Sequence, residues 1–253
     1  MNELERIEAL EREIKKLKGL NTQGIPTFSF SKIRDKELKE FLSIKKAISY
    51  DIFDSWFNNN VKIDKEIEEF LIELIDENRL FIDSYNEEDL KVHFIIPLLN
   101  KIRFKSIEHN IRDFYENKIV YKTDRFIFGG TTDFVVAKGL FETEKPYFFI
   151  QEFKKAEDFS NPRPQLLAEL ISAVELNNET SMRGAYIIGA IWNFVILEKL
   201  GKDKYQYFVS ENFDSSKIDD LKGIYRNLMF VKEEIIEMIK NDKETDAKRK
   251  STK

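Results

Sequence analysis

Phe148-Phe149-Ile150-Gln151-Glu152-Phe153-Lys154 reads as a buried β-strand that ends on a carboxylate and an amine. Tyr147 to Ile150 are apolar at every position, as in a central strand covered on both faces. Side chains at i and i+2 share a face of a strand, so Glu152 and Lys154 point the same way. An acid and an amine at the end of a core strand are costly unless they have good partners or a task. Eighteen residues separate Glu152 from Asp133, which opens a second apolar strand, Asp133-Phe134-Val135-Val136-Ala137. Lys138 to Lys145 (KGLFETEK) is expected as a hairpin connection between the two. Neighbouring strands would bring Asp133, Glu152 and Lys154 to one point. Two carboxylates converging beside an amine are what a Mg²⁺-dependent phosphodiester hydrolase needs.

Glu-x-Lys alone carries little information in a chain with 34% charged residues. It recurs at Glu13-Ile14-Lys15, Glu37-Leu38-Lys39 and Glu116-Asn117-Lys118, all in polar helical or edge contexts. The copy at 152–154 differs because an apolar strand leads into it and an Asp-bearing apolar strand lies at hairpin distance. The simpler reading is a strand running out into a solvated, charged end.

The pattern of Asp133 followed by Glu152-Phe153-Lys154 resembles the PD-(D/E)XK nuclease superfamily, whose signature is an Asp on one strand and Glu-x-Lys on the next. Thr132 stands where that family usually has Pro. The likeness is greatest to the N-terminal nuclease domain of type I restriction R subunits. It extends over Asn86 to Leu99, an acidic helix with Asn86 as N-cap, and over a helix beginning near Gln165 after Asn161-Pro162-Arg163-Pro164. It continues into strands at 185–198 and 205–209, where Gly189 is closely followed by Trp192-Asn193-Phe194. The resemblance implies an α/β fold, a restriction-endonuclease-like mixed β-sheet flanked by helices with an N-terminal helical extension. It also implies a metal-dependent endonuclease acting on nucleic acid, with DNA the expected partner, in restriction, defence or repair.

By the same resemblance Asp133 and Glu152 would ligate Mg²⁺, or Mn²⁺ in its place, with the Phe153 carbonyl as a further oxygen ligand. Glu87, four residues before Lys91, would complete the shell; Glu88 is the fallback. Lys154 would orient water or stabilise the phosphate, and Gln165 would orient water or phosphate through its amide. Loss of Asp133 or Glu152 is expected to abolish cleavage while sparing folding. The contrasting expectation is a catalytically silent nucleic-acid-binding or protein-interaction module on the same fold.

Composition sets outer bounds. The 253 residues suffice for one sizeable α/β core with appended helices, and 42% hydrophobic content with 22 Phe indicates a packed protein. A formal net charge of −5 argues against nonspecific coating of nucleic acid, though not against a local basic groove. With no cysteine, thiolate metal sites and Cys nucleophiles are excluded. His93 and His109 are too few for a multi-His centre, and His93, inside an apolar helical run, is expected to pack in the core. No apolar run approaches a membrane span and the start is charged, so no membrane partner and a cytoplasmic location are expected.

Four regions are expected along the chain. Residues 1–20 form a charged helix with Ile7, Leu10, Ile14 and Leu17 at 3-4-3 spacing. It reads either as an arm for a homodimer or as a helix laid against the body or frayed in solvent. Residues 21–83 begin with a linker at Asn21 to Pro26 and then read as helical, packing on the core. Residues 84–240 hold the nuclease-like domain, with a strand expected between Glu108 and Tyr121, a turn at Gly129-Gly130, and a terminal helix over 214–240. Residues 241–253 lack core-forming side chains and read as a disordered charged tail. Trp192 and Phe194 are expected in the core.

Overall fold

The computed structural model describes the backbone of residues 24–49, 51–82, 84–154 and 161–251, and side chains as far as residue 241. Short elements come first: β1 (Thr27–Ser29), α1 (Asp35–Phe41), β2 (Ser43–Lys46), α2 (Asp54–Phe57) and α3 (Lys65–Asn78). Then α4 (Glu87–Leu90) passes through a π-helical stretch (Lys91–Ile95) into α5 (Ile96–Ile102). Three long strands follow, β3 (Ile111–Lys122), β4 (Ile127–Lys138) and β5 (Glu144–Lys154). After them come α6 (Pro162–Asn177), β6 (Ser181–Ile188), β7 (Ile191–Gly201), β8 (Lys204–Val209), β9 (Phe213–Asp214) and α7 (Ile218–Ser251). The expected N-terminal helix lies outside the described residues.

The expected hairpin forms. β4 and β5 are antiparallel, with Phe134 opposite Gln151 and Val136 opposite Phe149. β5 then runs parallel to β6, Phe149 beside Arg183 and Lys154 beside Ile188, with α6 as the crossover between them. β6, β7 and β8 continue the sheet antiparallel. β3 lies along the whole of β4, so β4 must share its other edge, and β1 and β5 occupy successive parts of it. The result is a mixed, nine-stranded sheet with helices on both faces.

Period-two patterning divides the sheet into two apolar layers. Phe134, Val136, Phe149, Phe153, Trp192 and Phe194 face α3, α5 and α7. Val135, Ala137, Ile150, Val195 and Leu197 face α1 and α6. β5 is therefore covered on both sides, as its unbroken apolar run implies. α6 is buried on nearly every face from Pro162 to Val174, which needs a close seat on the sheet. Gly184 provides it: a Cβ there would lie 2.8 Å from the Ile150 carbonyl oxygen and 3.0 Å from Leu170.

Four expectations change. The region 31–83 is not purely helical, since β2 pairs in parallel with β8 and, just before the region, β1 pairs with β4. Ser43-Ile44-Lys45-Lys46 has a single apolar side chain, and its strand state comes from backbone pairing to a segment far along the chain. Gly129-Gly130 is no turn but lies within β4, where Gly130 has φ +156° and its missing Cβ leaves room for Phe30 at 3.1 Å. His93 is exposed and lies against the Tyr85 ring at 5.5 Å, because Leu90, Phe94, Ile95 and Leu98 take the inward face of that helix. The terminal helix continues past 240, so the segment read as a disordered tail has a helical backbone as far as Ser251. Trp192 and Phe194 are in the core, as expected.

Candidate active site at the ends of the central strands

The Asn86 side chain accepts from the Asp89 N–H at 2.9 Å while the Asp89 carboxylate accepts from the Asn86 N–H at 3.1 Å. This capping box starts α4 and sets Glu87 at its first position, where an acid is favoured by the helix dipole. The β4–β5 register carries Asp133 to the level of Glu152. Asp133 Oδ2 accepts from the Phe153 N–H at 2.8 Å, tying the two strands together at their charged ends. Lys154 Nζ lies 3.0 Å from Glu152 Oε1 and 3.5 Å from Glu87 Oε1. Thus Glu87, Asp133, Glu152 and Lys154 do meet. Phe153 sits between the acid and the lysine with its ring in the core.

Lys91, noted in the sequence only as a spacing mark, stands in the same cluster. Its Nζ is 3.2 Å from Asp133, 3.3 Å from Glu88, 3.5 Å from Glu87 and 3.8 Å from Glu116. Glu88 is 76% exposed and pairs with Lys91, whereas Glu87 reaches both lysines. That favours Glu87 over Glu88 as the inner acid of this pair.

Gln165 is buried rather than solvated, and its amide donates to Glu169 Oε1 at 3.1 Å. Glu169, a fully buried carboxylate missed in the sequence, interacts electrostatically with both Glu152 and Asp133. Its signal was an acid in a helical run otherwise apolar on every side, four residues after Gln165. Arg163 stands apart from this cluster: it pairs with Asp35 on α1 and lies over the Tyr207 ring.

Burial dominates the electrostatics. Glu152 is 1% exposed, and among the described residues neither of its carboxylate oxygens has a hydrogen bond of good geometry despite the nearby Lys154. Burial and then Asp133 push its pKa up to about 8, with Lys154 pulling the other way. Glu169 is held well above the carboxylate range by burial and by Glu152. For Lys154 and Lys91 burial disfavours the ammonium, but the surrounding carboxylates, Glu152 foremost for Lys154 and Asp133 for Lys91, outweigh it and raise both pKa values. Both lysines are therefore cations near neutral pH.

Among the described residues, no group of three or more His, Asp or Glu side chains is arranged to hold a metal ion. Asp133 and Glu152 nonetheless fit one. Mg²⁺ binds readily through one or two carboxylates and keeps several waters. The two buried oxygens of Glu152, one beside Lys154 and neither accepting a hydrogen bond of good geometry among the described residues, are what such an ion would satisfy. Asp133 has a structural part as well, because removing its carboxylate would leave the Phe153 N–H without this acceptor. Among the described residues no helix is long and apolar enough to cross a membrane. No protein-family model matches the chain, and no curated protein shows significant similarity to it.

Proposed function

We propose that this protein is a metal-dependent nuclease of the restriction-endonuclease-like kind, hydrolysing phosphodiester bonds in DNA. The observation that carries the reading is the meeting of Asp133, Glu152 and Lys154 at the ends of two adjacent antiparallel strands, with Glu87 completing the cluster. The mixed sheet with helices on both faces agrees with what the sequence resemblance implies.

Asp133 and Glu152 would hold Mg²⁺ or Mn²⁺, with water filling the remaining positions. When bound, the ion acidifies an attacking water and offsets charge on the scissile phosphate. Lys154 is kept protonated by its carboxylate neighbours, so it serves as a donor to the attacking water or to a phosphate oxygen and not as the base. Glu87 limits the reach of Lys154 by pairing with it. Gln165 acts indirectly in this scheme, through its hydrogen bond to Glu169.

The test combines Mn²⁺ titration by calorimetry with cleavage assays on duplex and single-stranded DNA. Wild-type protein is expected to bind the ion and cut; Asp133→Asn and Glu152→Gln are expected to do neither. Cleavage by Asp133→Asn at the wild-type rate would falsify the assignment. A second reading, a silent module that binds nucleic acid or protein, is favoured by the Lys91 ammonium already seated among the carboxylates. Absence of ion binding by the wild-type chain both with and without DNA would select it.

A further inference from the structure

Lys91 is the least expected member of the cluster. It begins the π-helical stretch, the kind of local widening often found at functional sites. Its side chain is 10% exposed, yet the ammonium faces four carboxylates from three separate elements: Glu87 and Glu88 on α4, Glu116 on β3 and Asp133 on β4. Asp133 Oδ2 is committed to the Phe153 N–H, so Lys91 takes the other oxygen, Oδ1, at 3.2 Å. That oxygen is the one Asp133 has left to offer a metal. Glu152, the other expected ligand, is buried, and among the described residues neither of its oxygens accepts a hydrogen bond of good geometry.

We infer that Lys91 is a built-in counter-cation that competes with the divalent ion for Asp133 and leaves that carboxylate when the ion binds. This rests on the metal-site reading of Asp133 and Glu152. An ammonium and a divalent ion cannot share one carboxylate oxygen at contact distance without strong repulsion, because one positive charge is then set against two. Entry of the ion must therefore turn the Lys91 side chain away from Asp133. Glu87, Glu88 and Glu116 remain within reach of the released ammonium, which can also meet a phosphate oxygen of a bound nucleic acid. The device holds the acidic cluster together without metal and lowers the affinity for free ion.

Full-length wild type and Lys91→Met are compared by Mn²⁺ titration calorimetry without nucleic acid. Lys91→Met is expected to bind Mn²⁺ about tenfold more tightly, the scale on which neighbours of ligands tune metal affinity. Equal or weaker binding by the variant overturns the inference while leaving the metal site standing. Binding by the variant alone supports it and shows that Lys91 blocks the wild-type site. Absence of binding by both overturns the inference together with the metal-site reading. If Lys91→Met does not fold, ¹⁵N spectra of the lysine ammonium groups in wild type replace it. The Lys91 signal is expected to be protected from exchange in metal-free protein and to lose protection on Mg²⁺ addition; a signal unchanged at saturating Mg²⁺ overturns it.

Discussion

Replacing Glu152 by Gln should stabilise the metal-free protein, and by an amount that grows with pH. In the unfolded chain this carboxyl loses its proton near 4.5, whereas in the folded protein burial and Asp133 delay the loss to about 8. Between those values the folded state holds a proton that the unfolded state lacks, so wild-type stability falls as pH rises through that window. At about 1.4 kcal/mol per pH unit the ceiling on this loss is about 5 kcal/mol. Local relaxation and water penetration reduce the expected effect to about 2–3 kcal/mol. Gln has nearly the same shape, stays neutral and can donate its amide to a carboxylate neighbour. Urea unfolding in chelator should therefore show the two proteins close at about pH 5 and the variant more stable by about 2–3 kcal/mol at about pH 9. Glu169, held up in part by Glu152, should titrate lower in the variant, which adds to the difference in the same direction. Parallel stability curves for the two proteins across the whole range would refute the claim that Glu152 is a repelled, buried acid.

Asp133 should behave differently, since it accepts a backbone N–H. Asp133→Ala is expected to cost about 1–3 kcal/mol in urea unfolding while Asp133→Asn, which keeps an acceptor, costs less, and both should lose Mn²⁺ binding. Mn²⁺ binding near neutral pH should release close to one proton, mainly from Glu152, measurable by calorimetry in buffers of different ionisation enthalpy. The two tryptophans make a contrast: Trp56 Nε1 donates to the Asn227 carbonyl at 2.9 Å, whereas buried Trp192 Nε1 has no hydrogen-bond partner among the described residues. Trp56→Phe should thus cost about 1–2 kcal/mol more than Trp192→Phe by chemical denaturation. Gly184→Ala should destabilise by about 1–3 kcal/mol, because a methyl 2.8 Å from the Ile150 oxygen forces α6 or β5 to move.

The legible part of the site was the part written in neighbouring residues. An apolar run ending in Glu152-Phe153-Lys154, and a second opening at Asp133, place three charged groups by strand period and hairpin length alone. Asn86 announced the cap that orients Glu87, and Asn161-Pro162 announced the start of α6. What stayed hidden depended on contacts across the fold. Lys91 meets Asp133 only because α4 and the π-helical stretch cross the end of β4. Glu169 becomes an interior acid only because α6 is covered on nearly all sides. Arg163 pairs with Asp35 only because α1 packs beside the start of α6.

By itself the sequence determined the β4–β5 hairpin, the shared face of Glu152 and Lys154, and the capped helix start beside them, because backbone geometry repeats over a few residues and side-chain direction follows from it. Tertiary structure alone decided that β1 and β2 join the sheet, that His93 faces outward, and that the carboxylates already have two ammonium partners. Those outcomes depend on which distant segments share an edge or a buried volume, and free energies of pairing and burial between remote residues leave no local period to read.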